Sequence, residues 1–294
     1  MSSTPLRSKS YHARSVSLPS RSHPIIPHFS EHLCRLSASE ATTSSLPSIS
    51  SRLSSLESLY DCVDDLLLLP QSQQCFTRAS NEKWIGEALD GCLRLLDICA
   101  AAKDMSTQTK QDVQNLLSIL RRRRDTNQCA AYLASRKKAK KVIQKSLKDL
   151  KSIRSKSANI AFNQGNGILE IVSLLNEVEA ATIEALEFLL SYIVGTKMES
   201  TNIGFSLVSK LMNHKKVASR EEETNTNAFE KFDVALHSLN SHKTSETDGT
   251  SETDSVQNAL GILELSIQDM EGGLECLFRR LIKSRASLLN ILNH

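Results

Sequence analysis

The sequence predicts an all-α protein: an elongated multi-helix bundle of long antiparallel, coiled-coil-like helices. Three observations carry this. The first is an apolar seam near the C-terminus. Val256, Leu260, Leu263, Ile267, Met270, Leu274, Leu277 and Leu281 alternate four and three residues apart, Ser284 interrupts once, and Leu288 and Ile291 resume the series. Such a repeat puts every apolar group on one stripe of a helix, which must pack against other helices. From Val256 to Ile291 that helix would run about 54 Å. The second is a like seam at Ile49, Leu53, Leu56, Tyr60, Val63 and Leu67. The third is composition. Aromatics make up 4% of the chain, and its 294 residues hold ten glycines and six prolines. A β-sandwich or barrel would want more aromatic residues and more turn signals.

The elements follow in order. Residues 1–45 are expected to be a basic, Ser-rich, disordered tail. The first thirty residues carry Arg7, Lys9, Arg14 and Arg21, no acid, and Pro5, Pro19, Pro24 and Pro27. Such a segment buries too little apolar surface to offset its ordering entropy. Residues 46–294 form the helical domain. Its first helix starts near Ser48 and stops at Pro70. Asn81 is placed to cap a helix bearing Ile85, Leu89, Cys92, Leu96 and Cys99, and Ser106 to cap the next, with Val113, Leu117 and Leu120. Arg121, Arg122, Arg123 and Arg124 end that helix, where cations suit the macrodipole.

A long helix is expected from Thr126 to Arg154, with Leu133, Ile143, Leu147 and Leu150 inward. The Gly165-Asn166-Gly167 turn then leads into a helix over Ile168–Val194. Shorter helices are expected at Ile203–Met212 and Asn227–Leu239, followed by an acidic low-complexity loop over about 241–255. Charge is uneven. Arg121–Lys156 holds fourteen Lys or Arg against Asp125 and Asp149, whereas Gly165–Val194 holds five Glu and no cation. A short turn would make the two helices antiparallel neighbours, with basic groups facing Glu170, Glu177, Glu184 and Glu187.

The sharpest short motif is Arg14-Ser15-Val16-Ser17-Leu18-Pro19. With Ser17 phosphorylated, Arg14, Ser15, Ser17 and Pro19 match the R-S-x-S-x-P form bound by 14-3-3-type adaptors. A phosphoserine adds about −1.5 to −2 charge and three strong acceptors for an arginine cluster. The bland alternative is a chance match in a Ser/Arg-rich tail. A second feature is the basic patch of Arg121, Arg122, Arg123, Arg124, Arg136, Lys137, Lys138, Lys140 and Lys141. It is a solvated helix face on the bland reading, and a nuclear-localisation signal or anionic-lipid patch on the functional one. Nucleic acid is the weakest partner, because no aromatic residues interleave the basic run.

Several classes find no support. The chain has no P-loop, G-x-S-x-G, GxGxxG or HExxH signature, so it is not expected to be an enzyme or to hold a cofactor. Seven scattered cysteines without a CxxC pair read as reduced core thiols. His23, His28, His32 and Cys34 lie close in sequence, but a proline-broken tail gives no rigid metal frame, and no metal is expected. No stretch is apolar enough to span a membrane. The expected location is the cytoplasm, with the nucleus and the membrane periphery as alternatives. Oligomeric state is left open, since the terminal seam could close within one chain or between two.

Several segments together resemble the plant-specific BYPASS-type family, a domain of unknown function. They are Tyr11–Pro24, Leu53–Tyr60, Asp64–Pro70, Leu93–Asp97, Leu116–Arg124, Tyr132–Lys141 and Leu274–Leu292. The resemblance covers nearly the whole chain and is thinnest from Thr196 to Ser255. It implies a helical, non-enzymatic regulatory protein linked to root and shoot development, and it carries over no catalytic residues.

Overall fold

The computed structural model describes residues 25–40, 46–76, 82–121, 127–157, 168–195, 227–241 and 249–293. Among them run eight helices and no strand: α1 (Ile25–Glu40), α2 (Leu46–Leu68), α3 (Pro70–Phe76), α4 (Glu82–Arg121), α5 (Asn127–Ser157), α6 (Ile168–Val194), α7 (Ala228–Ser241) and α8 (Gly249–Leu292). The chain is all-α. The Asn81 cap, the Gly165–Gly167 turn and the Ile203–Met212 helix lie outside the described residues.

α8 is the spine. All ten apolar residues of its predicted seam are buried, and so is Ser284. α4 lies along it antiparallel. Cys99 Sγ donates to the Leu274 carbonyl at 3.5 Å, Lys103 pairs with Glu275, Lys110 Nζ lies 2.9 Å from Glu271, and Gln114 reaches Glu264 at 2.7 Å. Rising numbers on α4 meet falling numbers on α8. α2 flanks α8 in the parallel sense: Leu53 packs on Gly273, Arg280 pairs with Asp61, and Lys283 lies 2.8 Å from Asp64. These partly exposed pairs set register; apolar burial holds the helices together.

α6 crosses to the other face of α2, where Tyr60 and Thr182 hydroxyls share a hydrogen bond of 3.0 Å and the Arg52 guanidinium lies 4.1 Å from the Phe188 ring centre. Its C-terminal half is buried nearly all round, as its high apolar content requires. Gly195 ends it at φ 78°, its N–H reaching the Ser191 carbonyl at 3.1 Å. This is the left-handed cap that glycine adopts without steric cost. Asn227 caps α7 through Oδ1, which accepts from the Phe229 N–H at 2.9 Å. α2 ends before Pro70, which opens α3; Phe76 of α3 then stacks on Trp84 at 5.3 Å.

Three expectations are corrected. Ser106 caps nothing: α4 is one helix of 40 residues, and Ser106 is buried within it. No Gly or Pro interrupts residues 99–113, and Cys99, Ala102, Ser106, Thr109 and Val113 continue a buried 3-4 stripe. The Thr109 hydroxyl donates back to the Met105 carbonyl at 2.7 Å, so its polarity is absorbed inside the helix. Residues 25–40 of the expected disordered tail form α1, which packs on α2 and α6. Phe29, Leu33 and Leu36 make one apolar face, with Phe29 and Leu36 buried. Pro27 falls in the first turn, where no intrahelical N–H is required. Finally, α8 begins at Gly249, so the second part of the expected acidic loop is helical. An acidic sequence suits a helix start.

Candidate functional site

The basic helix α5 is built on a seam of its own. Tyr132, Arg136, Ala139, Ile143, Ser146, Leu150 and Ile153 alternate four and three apart and are all buried. This places Arg136 inside the bundle, and it is withdrawn from the exposed basic patch. The reason is register: it stands four residues after Tyr132 and three before Ala139. Its guanidinium lies 4.6 Å from the Phe229 ring centre, and Nε is 3.7 Å from Asp233 Oδ1. Among the described residues none of its nitrogens has a hydrogen-bond partner. The Tyr132 ring meets Phe232 edge-on at 5.1 Å, and burial pushes the Tyr132 phenol up.

Lys140 is half-buried and pairs with Asp233 at 3.2 Å. Lys137, Lys138 and Lys141 are exposed. Three cations that the sequence reading did not single out, Lys145, Lys148 and Lys151, extend the same outward side. Helical periodicity alone could have found them. Arg121 closes α4; Arg122, Arg123 and Arg124 lie outside the described residues, as do Arg14, Ser15, Ser17 and Pro19.

Among the described residues the acidic helix pairs with α5 at one end. Arg154 Nη2 donates to Glu187 Oε2 at 2.8 Å. Burial nevertheless holds the Glu187 carboxyl above its ordinary range, with Arg154 and Lys151 pulling the other way and Glu184 adding to the rise. α5 and α6 are antiparallel but staggered: Arg154 meets Glu187, while at the far end Arg136 meets Phe229, whose ring contacts Tyr192 edge-on at 5.8 Å. Among the described residues the expected pairing at Glu177 does not form: it is exposed and takes a hydrogen bond from Ser173.

The remaining perturbed groups are packed between helices. Burial pushes the Cys92 thiol up to about 11, Cys99 up to about 12, and the Tyr60 phenol well above its usual range. Glu275 is lowered by hydrogen bonds from Lys103 and Arg279. Among the described residues no three His, Cys, Asp or Glu side chains gather as a metal site would need, and no helix is long and apolar enough to cross a membrane.

A family model described as Protein BPS1 matches residues 52–291. The chain belongs to the BPS1 family. This is the BYPASS family of plant proteins, so the resemblance seen in the sequence is confirmed. The BPS1 match opens within α2 and closes one residue before the end of α8, taking in the spine, both of its long flanking helices and the lysine side of α5. No curated protein matches the chain, and no solved structure does.

Proposed function

We propose that this BPS1-family chain is a non-enzymatic regulatory protein that acts through protein–protein contacts in root and shoot development. The observation that carries the reading is an outward apolar pair on the spine. Ile262 and Leu265 stand on the side of α8 opposite its buried seam and are 49% and 65% exposed. Such positions on a packed helix are ordinarily polar, and exposed aliphatic groups there suit a partner's surface. Two further points support it. Several ionisable side chains of α2, α4 and α8 are engaged in inter-helix pairs, and the thiols and phenols with shifted pKa are moved chiefly by burial. The Arg14–Pro19 motif adds a route for a 14-3-3-type adaptor through phosphorylated Ser17.

The test is complementation of a plant line lacking this chain. Wild type is expected to restore root and shoot growth. An Ile262→Glu/Leu265→Glu variant that accumulates and folds normally is expected not to. Full rescue by that variant, or turnover of a small-molecule substrate by the purified chain, would reject the reading. For the adaptor arm, phosphorylated full-length chain is expected to capture a purified 14-3-3 protein and Ser17→Ala to lose that capture; undiminished capture removes the motif from the account.

A further inference from the structure

We infer that the lysine face of α5 is a docking surface for an anionic lipid bilayer. The inference does not depend on the α8 contact proposed above. Lys137, Lys138, Lys141, Lys145 and Lys148 are all exposed and follow one side of a helix, spanning about 16 Å. The opposite side of α5 is fixed in the bundle by Tyr132, Ile143, Leu150 and Ile153, so the cations are held on a rigid rod.

Three described carboxylates that contact α5 are committed elsewhere. Asp233 serves Arg136 and Lys140, Glu187 serves Arg154, and Asp112 accepts from Gln108 and from Ser135 at 2.5 Å. Asp149 is the one acid among the described exposed residues of α5. None of the five lysines has an ion-pair partner among the described residues. Among the described residues the positive charge of this face is therefore left without a paired carboxylate.

The chemistry of the face selects the occupant. Its cations are all lysines, compact charges on flexible stems that can follow mobile headgroups. The other exposed residues of α5 include Ala131, Ala134, Gln144 and Ser152. None is aromatic or large and apolar, so nothing stacks on a base, fills a pocket in a partner protein, or inserts into the acyl region. What remains is attraction between a line of positive charge and a negatively charged plane. That attraction gives roughly a five-fold gain in affinity per lysine near an anionic surface and is screened by salt.

The experiment is co-sedimentation of the full chain with vesicles of phosphatidylcholine alone and of phosphatidylcholine with phosphatidylserine. Wild type is expected to partition onto the anionic vesicles at low salt, to be released by added salt, and to ignore the neutral ones. Lys141→Glu/Lys145→Glu/Lys148→Glu is expected to lower the partition by at least about a hundred-fold, from three lysines at roughly five-fold each. The three positions are exposed, and an unchanged circular dichroism spectrum and melting temperature will separate lost binding from lost fold. Lys141→Gln/Lys145→Gln/Lys148→Gln is expected to show a smaller loss. Wild type that ignores anionic vesicles at low salt would overturn the inference, as would a charge-reversed chain that binds like wild type. A duplex nucleic acid that strips wild type from the vesicles through the same lysines, at matched phosphate concentration, would also overturn it.

Discussion

Gly273 of α8 lies against Leu53 of α2 so closely that a Cβ on the glycine would stand 2.5 Å from Leu53 Cδ1 and 3.0 Å from its Cβ. The neighbouring Gly272 would place its Cβ in open space. One glycine of the pair permits the parallel approach of α2 to the spine; the other serves no contact within the fold.

This contrast yields a paired prediction. Gly272→Ala is expected to stabilise the protein by up to about 1 kcal/mol, the difference in helix propensity. Gly273→Ala gains the same propensity but drives a methyl into Leu53, whose own Cβ cannot rotate away. Overpacking of this kind costs about 1–3 kcal/mol, so a net loss is expected. Urea melts of the two variants beside wild type read both signs. A stabilised Gly273→Ala chain would contradict the close packing of α2 on α8.

Arg136 gives the second prediction. A buried guanidinium without hydrogen bonds costs several kcal/mol, which its ring contact and the nearby carboxylate offset only in part. Arg136→Met keeps much of the stem's packing, and Asp233 keeps Lys140. That variant is expected within about 1 kcal/mol of wild type or above it. Arg136→Ala empties the space over Phe229 and should lose about 2–3 kcal/mol. Asp233→Ala leaves the guanidinium buried without its carboxylate and should lose about 3–5 kcal/mol. Equilibrium unfolding ranks the three, and Met falling as far below wild type as Ala would show that the charge itself holds α7 in place.

These cases also show what could be read in the sequence. The seams of α2 and α8 were legible because their inward residues are almost all large and apolar, so period alone exposes them. The α4 seam was cut in two because Ala102, Ser106 and Thr109 are small or polar yet buried. α1 was hidden by histidine, serine and proline around Phe29, Leu33 and Leu36. Arg136 was assigned by its charge and placed by its register. A repeat also does not name its neighbour: nothing in the order of residues said that Lys103 would meet Glu275, or that the first half of α6 would extend past α5. Lys145, Lys148 and Lys151 lie outside the dense run Arg136–Lys141, and helical period alone places them on its outward side.

The buried thiols give a kinetic prediction. With Cys92 at about 11 and Cys99 at about 12, the thiolate fraction at mild alkaline pH is orders of magnitude below that of an ordinary exposed cysteine. Cys34 is exposed on α1. In native protein treated with iodoacetamide, peptide mass spectrometry is expected to show Cys34 alkylated well before Cys92 and Cys99, which are labelled only as denaturant unfolds the chain. Equal labelling rates would mean that α4 opens readily along its inner face.

Glu187 gives a prediction in pH. Its side chain is 11% exposed, and burial raises its carboxyl above the ordinary value despite the hydrogen bond from Arg154. Between the ordinary carboxylate pKa and the raised folded one, the native chain binds more protons at this site than the unfolded chain does. Stability contributed by this group therefore falls as pH rises through that window and is level beyond it. Glu187→Gln removes the titration while leaving an amide oxygen to accept from Arg154, which is partly exposed and can otherwise be hydrated. Subtracting wild-type from variant unfolding free energy at each pH cancels the titration of every other carboxylate. That difference is expected to increase in favour of the variant as pH climbs from about 4 toward neutrality, then to hold constant. A difference that moves the opposite way would mean that Arg154 and Lys151 outweigh desolvation, and that the ion pair with α5 stabilises the C-terminal half of α6.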